Sequence, residues 1–213
     1  MEQVEIDQAI AELVTIDDFI RWSVSRFNEA ELYYGHGTDN PWDEAVALIM
    51  FGLSLPQTAI GEIKQTRLTT TEKTRIVALI QRRIEERIPA AYITNQGWFN
   101  LLPFYVDERV LVPRSPIGEL INARFEPWLK DIRVARVLDM CTGSACIAIA
   151  CAHAFEQIEV DAVDISLDAL AVAQINVEEH GMMEQVFPMQ SDLFDNLVGQ
   201  QYDLIVCNPP YVD

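Results

Sequence analysis

Four polar stretches, each closing an apolar run, hold the residues able to do chemistry. The last is YDLIVCNPPYVD at 202–213, where Leu204-Ile205-Val206-Cys207 runs into Asn208, Pro209, Pro210 and Tyr211. Proline has no N–H to give to a β-ladder, so the pair ends the strand and stiffens the loop. The side-chain oxygen of Asn208 and the carbonyl of Pro209 then form two fixed acceptors side by side. That pair complements an NH₂ group, which carries two donors. The Tyr211 ring can cover a planar group held there. The arrangement would grip an amide or amino nitrogen.

The other three stretches suit a nucleoside. Asp139 opens DMCTGSACIAIA, a tight turn leading into a helix whose first N–H groups face outward. A dinucleotide fingerprint asks for three glycines in this turn, and only Gly143 is present, which disfavours NAD. Asp164 lies 21 residues beyond Gly143, a spacing that suits an acid accepting from two ribose hydroxyls. It could equally cap the helix that follows, a role Ser166 can also fill. Asp192 could accept from an adenine amino group with Leu193 packed on the ring; alone, Asp192 is equally a turn residue. The sum is one nucleoside pocket beside one NH₂ pocket. The pattern contains no nucleophile and no metal cage.

Charge narrows the ligand. The chain of 213 residues has a net charge of −18, from 33 acids and 15 bases. Residues 1–44 hold 11 acids and 2 bases, and no Lys or Arg follows Arg136. Nucleic-acid binding wants clustered cations, so no direct contact with DNA or RNA is expected. A phosphorylated cofactor is disfavoured on the same ground. S-adenosylmethionine fits, because its sulfonium is cationic and already activated. Methyl transfer then needs mainly positioning, which can lower a barrier by about 7–11 kcal/mol. An acidic surface suits a basic protein partner, although acidity also serves solubility alone.

The elements that must position these residues follow from periodicity. Residues 1–93 read as helical. Thr15 with Asp18 forms a capping-box pattern, Asn40-Pro41 is a cap with a first-turn proline, and Thr69, Thr70 or Thr71 can cap EKTRIVALIQRRIEERI, whose basic face reads as solvated. GWFNLLPFYVDERVLV at 97–112 has two aromatic and β-branched runs around Leu102-Pro103, the signature of a hairpin or extended bridge. Ser115-Pro116 opens a helix over PIGELINARFEPWLK. From residue 133 strands at 134–138, 158–163, 186–190 and 204–207 alternate with helices at 144–154 and 167–180. Such alternation predicts an α/β fold with a parallel, doubly wound sheet, whose ligands sit at the C-terminal strand edge. The four cysteines lack CxxC spacing and read as buried, reduced thiols of a cytoplasmic protein. The N-terminus is acidic, unlike a secretory signal, and no apolar run reaches the roughly 18 residues that would span a membrane.

VLDMCTGSACIAIACA, VDAVDIS, SDLF and NPPY, in that order, resemble the class I S-adenosylmethionine-dependent methyltransferases. More narrowly they resemble the protein N(5)-glutamine methyltransferases, over essentially the whole chain. VDERVLVPRSPIGELI, WFN and YYGHGTDNPWDEA look like the branch acting on a ribosomal protein of the large subunit, protein three. The release-factor branch is separated from it only by the segment around RSPIGELI. The resemblance implies three parts: an N-terminal helical substrate-recognition domain at 1–93, a hairpin bridge and linking helix at 94–130, and a Rossmann-like methyltransferase sheet at 131–213. Four strands give the order 3-2-1-4 for an incomplete sheet. The family continues with three further strands, so a C-terminally truncated piece, poorly stable and inactive alone, is expected.

Residue by residue, the resemblance implies cofactor contacts from Asp139, Thr142, Gly143, Ser144, Asp164, Asp192, Leu193 and Asn208. Asn208, Pro209, Pro210 and Tyr211 would hold the substrate glutamine, with Asn208, Pro209 and Tyr211 at the chemistry and no metal. Ala145 and Cys141 stand where relatives often have glycine, so a Cβ could crowd the cofactor. Two other readings stay open. An N6-adenine methyltransferase uses a similar tetrapeptide but wants a basic groove. A non-catalytic interaction module would retain the fold without the cofactor.

Overall fold

The computed structural model describes residues 2–35 and 37–210. The chain divides into two compact units, Met1–Thr94 and Asn95–Asp213.

The first unit is a helical bundle of α1 (Gln3–Glu12), α2 (Ile16–Glu29), α3 (Pro41–Gly52), the single turn α4 (Ile60–Ile63), α5 (Thr70–Glu85) and α6 (Ala90–Thr94). The capping signals act as their spacing predicts. Asp18 N–H donates to the Thr15 hydroxyl at 3.2 Å while Thr15 N–H donates to the Asp18 carboxylate at 2.9 Å. Asn40 accepts from Asp43 N–H at 2.9 Å, with Pro41 in the first turn. Of Thr69, Thr70 and Thr71, Thr69 is the cap of α5, paired with Glu72 in the same reciprocal way. Phe19, Ile20 and Phe27 of α2 bury against Leu48 and Ile49 of α3 and Ile76 and Ile80 of α5. The basic face of α5 is not wholly solvated. Arg83 turns inward, donating to Glu44 at 3.0 and 3.2 Å and to the Tyr33 carbonyl at 2.9 Å, and Glu44 also accepts from Ala90 N–H. Glu44 therefore belongs to the core and not to the acidic surface of residues 1–44.

The second unit opens with a hairpin, β1 (Gln96–Phe99) and β2 (Leu102–Tyr105), in the register Phe99↔Leu102 and Trp98↔Pro103. The turn is Asn100-Leu101, both left-handed with φ of 53° and 66°, two residues before the proline around which the runs were centred. Both central residues at positive φ make the tight turn whose twist matches a hairpin. Helix α7 (Ile117–Asn122) stops well short of the predicted Lys130. Arg124 and Phe125 are left-handed and Pro127 follows, and a proline cannot continue a helix.

Beyond it come β3 (Arg136–Met140), α8 (Cys146–Ala154), β4 (Glu159–Asp164), α9 (Leu167–Glu179), β5 (Val186–Gln190) and β6 (Leu204–Cys207). The four strands are parallel in the order β5-β4-β3-β6, the predicted order. β3 starts and ends two residues later than expected, because Asp139 and Met140 continue the ladder opposite Ala162 and Val163. An acid inside an apolar run reads as its end; here it is the buried penultimate residue of the strand. Among the described residues β6 pairs only with β3, and Ile205 is half-exposed on this edge. No single described helix is long and apolar enough to cross a membrane.

Candidate functional site

The turn after β3 alternates left-handed residues: Cys141 at φ 61°, Gly143 at 55° and Ala145 at 62°. Only glycine adopts this region without steric cost, so the two non-glycine positions carry strain of about 1–2 kcal/mol each. The alternation turns successive peptide groups around a small loop and delivers the chain to the start of α8. Thr142 N–H donates to the Val163 carbonyl at 2.9 Å and Ala145 N–H to the Thr142 carbonyl at 2.9 Å, fixing the loop to β4 and to itself. A Cβ built on Gly143 would meet nothing within 4 Å, so the loop faces open space there. Ala145 is fully buried, which keeps its methyl group off that open side.

Asp139 supports this loop from beneath. It is 0% exposed, and its Oδ2 accepts from the Thr142 hydroxyl at 2.6 Å and from Ala148 N–H at 3.0 Å. Its Oδ1 is buried without a partner. Burial pushes the carboxyl up to about 7 and the Asp164 charge adds to the rise, against the opposing bonds from Thr142 and Ala148. Thr142 and Ser144 are buried as well, so of the loop's residues Gly143 and Cys141 remain partly exposed.

Asp164 ends β4, half-buried. Its two oxygens accept from Gly143 N–H and from Ser166 N–H, both at 3.0 Å, while Ser166 itself caps α9 by accepting from Ala169 N–H. The capping role thus belongs to Ser166, and Asp164 is braced against the loop. A carboxylate has about four lone-pair sites, so these two bonds leave capacity for a ligand's hydroxyls. The end of β5 is tied to the same place, with Ser191 N–H donating to the Asp164 carbonyl at 3.1 Å. Beyond it Asp192 is exposed and Leu193, at φ 47°, is 57% exposed. Ile165 is also exposed, held by Gln190 Nε2 donating to its carbonyl at 3.0 Å. Two exposed aliphatic side chains beside an acid could pack on a planar ring; Ile165 has only its place beside Asp164 to mark it in the sequence.

Asn208 follows Cys207, which sits opposite Met140 in the ladder, so the N-P-P segment leaves the sheet beside the loop that begins at Cys141. Asn208 and Pro209 are half-buried and Pro210 is exposed. Asn208 Nδ2 donates to the Arg114 carbonyl at 3.4 Å, which sets the amide's direction. Arg114 belongs to the segment preceding α7, and its backbone role had no signal in the sequence. Tyr211 lies outside the described residues.

The cysteines differ from the expectation of uniform burial. Cys146 and Cys151 are buried, Cys141 is half-buried and Cys207 is exposed. Burial and the neighbouring Cys207 push the Cys141 thiol up to about 11, and burial raises Cys146 to about 12. Neither is a thiolate near neutral pH, so neither is a ready nucleophile. Among the described residues no group of His, Cys, Asp or Glu could hold a metal ion.

Residues 126–213 match the family described as methyltransferase small domain. The ribosomal protein uL3 glutamine methyltransferase of Neisseria meningitidis serogroup B is 50% identical over 214 residues, covering 100% of this chain and 70% of the relative. The protein of the same name from Neisseria gonorrhoeae is 52% identical over 208 residues, covering 97% of this chain and 69% of the relative. Among solved structures, the delta-N METTL16 MTase domain is 19% identical, with a TM-score of 0.43 and 51% of each chain covered.

Proposed function

We infer the reaction from kinship: the chain belongs to the ribosomal protein uL3 glutamine methyltransferases, to which it is 50% identical along its whole length. That identity is the observation that carries the reading. The reaction places a methyl group from S-adenosylmethionine on the side-chain amide nitrogen of a glutamine in ribosomal protein uL3. When bound, S-adenosylmethionine supplies a methyl group made electrophilic by the adjoining sulfonium.

The site residues fit such a ligand. The open side of the loop at Gly143 and the spare lone pairs of Asp164 support a nucleoside in that slot. The backbone of Thr142, Gly143 and Ser144 would border the methionine part, and Asp164 would take the ribose. Asp192 and Leu193, with Ile165, would take the adenine. Asp139 acts beneath the loop, holding Thr142 and the first turn of α8 in place.

Asn208 and Pro209 would accept the two N–H groups of the substrate amide, with Pro210 and Tyr211 completing the clamp. An amide nitrogen is a weak nucleophile because its lone pair is delocalised. Acceptors aimed at its hydrogens would make it more electron-rich as the N–C bond forms and the methyl–sulfur bond breaks, with S-adenosylhomocysteine as the leaving group and one N–H proton lost to solvent. No side chain of the protein needs to become a nucleophile.

Ribosomal protein uL3 as substrate directs attention to the acidic first unit. Glu2, Asp7 and Glu12 are exposed around α1, on different sides of the helix, and support an acidic docking element for a basic protein. Glu5 is committed to Arg26 at 3.0 Å and Glu44 to Arg83, so neither is counted with them. A ribosomal-protein substrate and unpaired cysteines support action in the cytoplasm.

The test is to incubate the protein, at the full length of its curated relatives, and isotopically labelled S-adenosylmethionine with ribosomal proteins from cells lacking the modification. Mass spectrometry should find the label on one glutamine of uL3. Label on a release factor or on nucleic acid instead, with uL3 unmodified, would overturn the substrate assignment.

A further inference from the structure

Asn176 lies in the interior of α9 and is 0% exposed. Asparagine is a poor helix former and costly to bury unless bonded, so its place there needs a reason. Three of its four hydrogen-bonding positions are engaged by backbone groups. Oδ1 accepts from Tyr105 N–H at 2.7 Å, and Nδ2 donates to the Tyr105 carbonyl at 3.0 Å and to the Ser144 carbonyl at 2.9 Å. Toward β2 the carboxamide behaves as a peptide group of a neighbouring strand would, exchanging both bonds with one residue. Toward the loop it holds the carbonyl between left-handed Gly143 and Ala145. One side chain therefore joins the hairpin to the loop after β3.

A second tie between the hairpin and α9 bypasses the loop. His180 Nε2 lies 2.7 Å from the Pro103 carbonyl, and its ring stacks on Phe104 with centroids 4.8 Å apart. The hairpin presents Trp98 and Leu101 outward, half and almost fully exposed.

We propose that Asn176 is a positioning residue that couples the cofactor loop to the β1–β2 hairpin, so that filling the slot at Gly143 rigidifies the hairpin and a fixed hairpin tightens the slot. The proposal rests on the reading of that slot as the S-adenosylmethionine site. Coupling of this kind is reciprocal in free energy, so it is measurable from either side.

Hydrogen exchange followed by mass spectrometry on the whole chain, with S-adenosylhomocysteine as the probe, tests it without turnover. In the parent protein the probe should slow exchange across residues 96–105 as well as at the loop. In Asn176→Ser, whose shorter side chain cannot span both partners, the loop should still respond but the hairpin should not, and probe affinity should fall about tenfold or more, as expected when buried hydrogen bonds are lost. His180→Ala should speed hairpin exchange and, because the coupling is reciprocal, weaken probe binding several-fold; a loosened hairpin with unchanged probe affinity refutes the coupling. If the parent binds the probe and its hairpin exchange is unchanged, the coupling is refuted, whether or not Asn176→Ser folds. A hairpin response that persists in Asn176→Ser refutes Asn176 as its carrier. A parent that binds no probe refutes the reading of the slot and the coupling with it.

Discussion

The buried carboxyl of Asp139 makes the loop's chemistry visible in a pH titration. Its folded pKa, raised to about 7 by burial, lies above the value of an unfolded aspartate. The folded state therefore holds the proton more tightly. The stability this contributes is full below about pH 4 and is lost as pH rises through about 7. In Asp139→Asn that loss disappears, so the melting temperature of the variant minus that of the parent should climb between about pH 4 and 7 and then level. A difference that does not vary with pH would contradict the assignment. Ala145 gives a second residue-scale prediction. Its left-handed φ of 62° is strained, and its Cβ is buried away from the open side of the loop. Ala145→Gly should raise stability by about 0.5–1 kcal/mol in a denaturant titration. S-adenosylhomocysteine affinity should be unchanged, since the methyl group does not crowd the slot; tighter binding would show that it does.

Among the elements, the hairpin turn offers the cleanest substitution. Leu101 is left-handed and 95% exposed, so its side chain pays no packing return for its strain. Leu101→Gly creates the Asn-Gly pair that such turns favour and should stabilise the fold by about 0.5–1 kcal/mol, read by thermal or chemical denaturation. A loss of stability would mean that the Leu101 side chain makes contacts its exposure denies. This turn also marks the limit of what the sequence reveals. Asn100-Leu101 carries no glycine, and Pro103 drew attention instead, although it sits inside β2. The apolar runs predict β5 and β6 to the residue, because glutamine and asparagine close them cleanly. The pattern puts β3 two residues early because a buried acid looks like a strand end, and makes α7 too long because its break depends on left-handed residues that no pattern announces. Strand-end residues Asp164, Asp192 and Asn208 were legible as candidates. Asn176 was not: its partners are backbone groups 71 and 32 residues away, and a lone asparagine in an amphipathic helix carries no periodic signal.

For the molecule as a whole, the uneven charge is the feature to exploit. The net −18 is not spread evenly, and Glu2, Asp7 and Glu12 lie exposed on one short helix of the first unit. Exposed charges act over roughly 8–10 Å at physiological salt, so their contribution to docking should be salt-sensitive. Replacing all three by their amides should raise the KM for uL3 several-fold and flatten its dependence on salt, with kcat unaltered. An unchanged KM and salt slope would discard this helix as the docking element. The proposed acceptor pair at the end of β6 answers to the kinetics of Asn208→Ala. Removing one preorganised acceptor should lower kcat on uL3 by about 10²–10³-fold, well beyond any change in S-adenosylhomocysteine affinity. A variant that methylates uL3 at close to the parent rate would contradict the clamp.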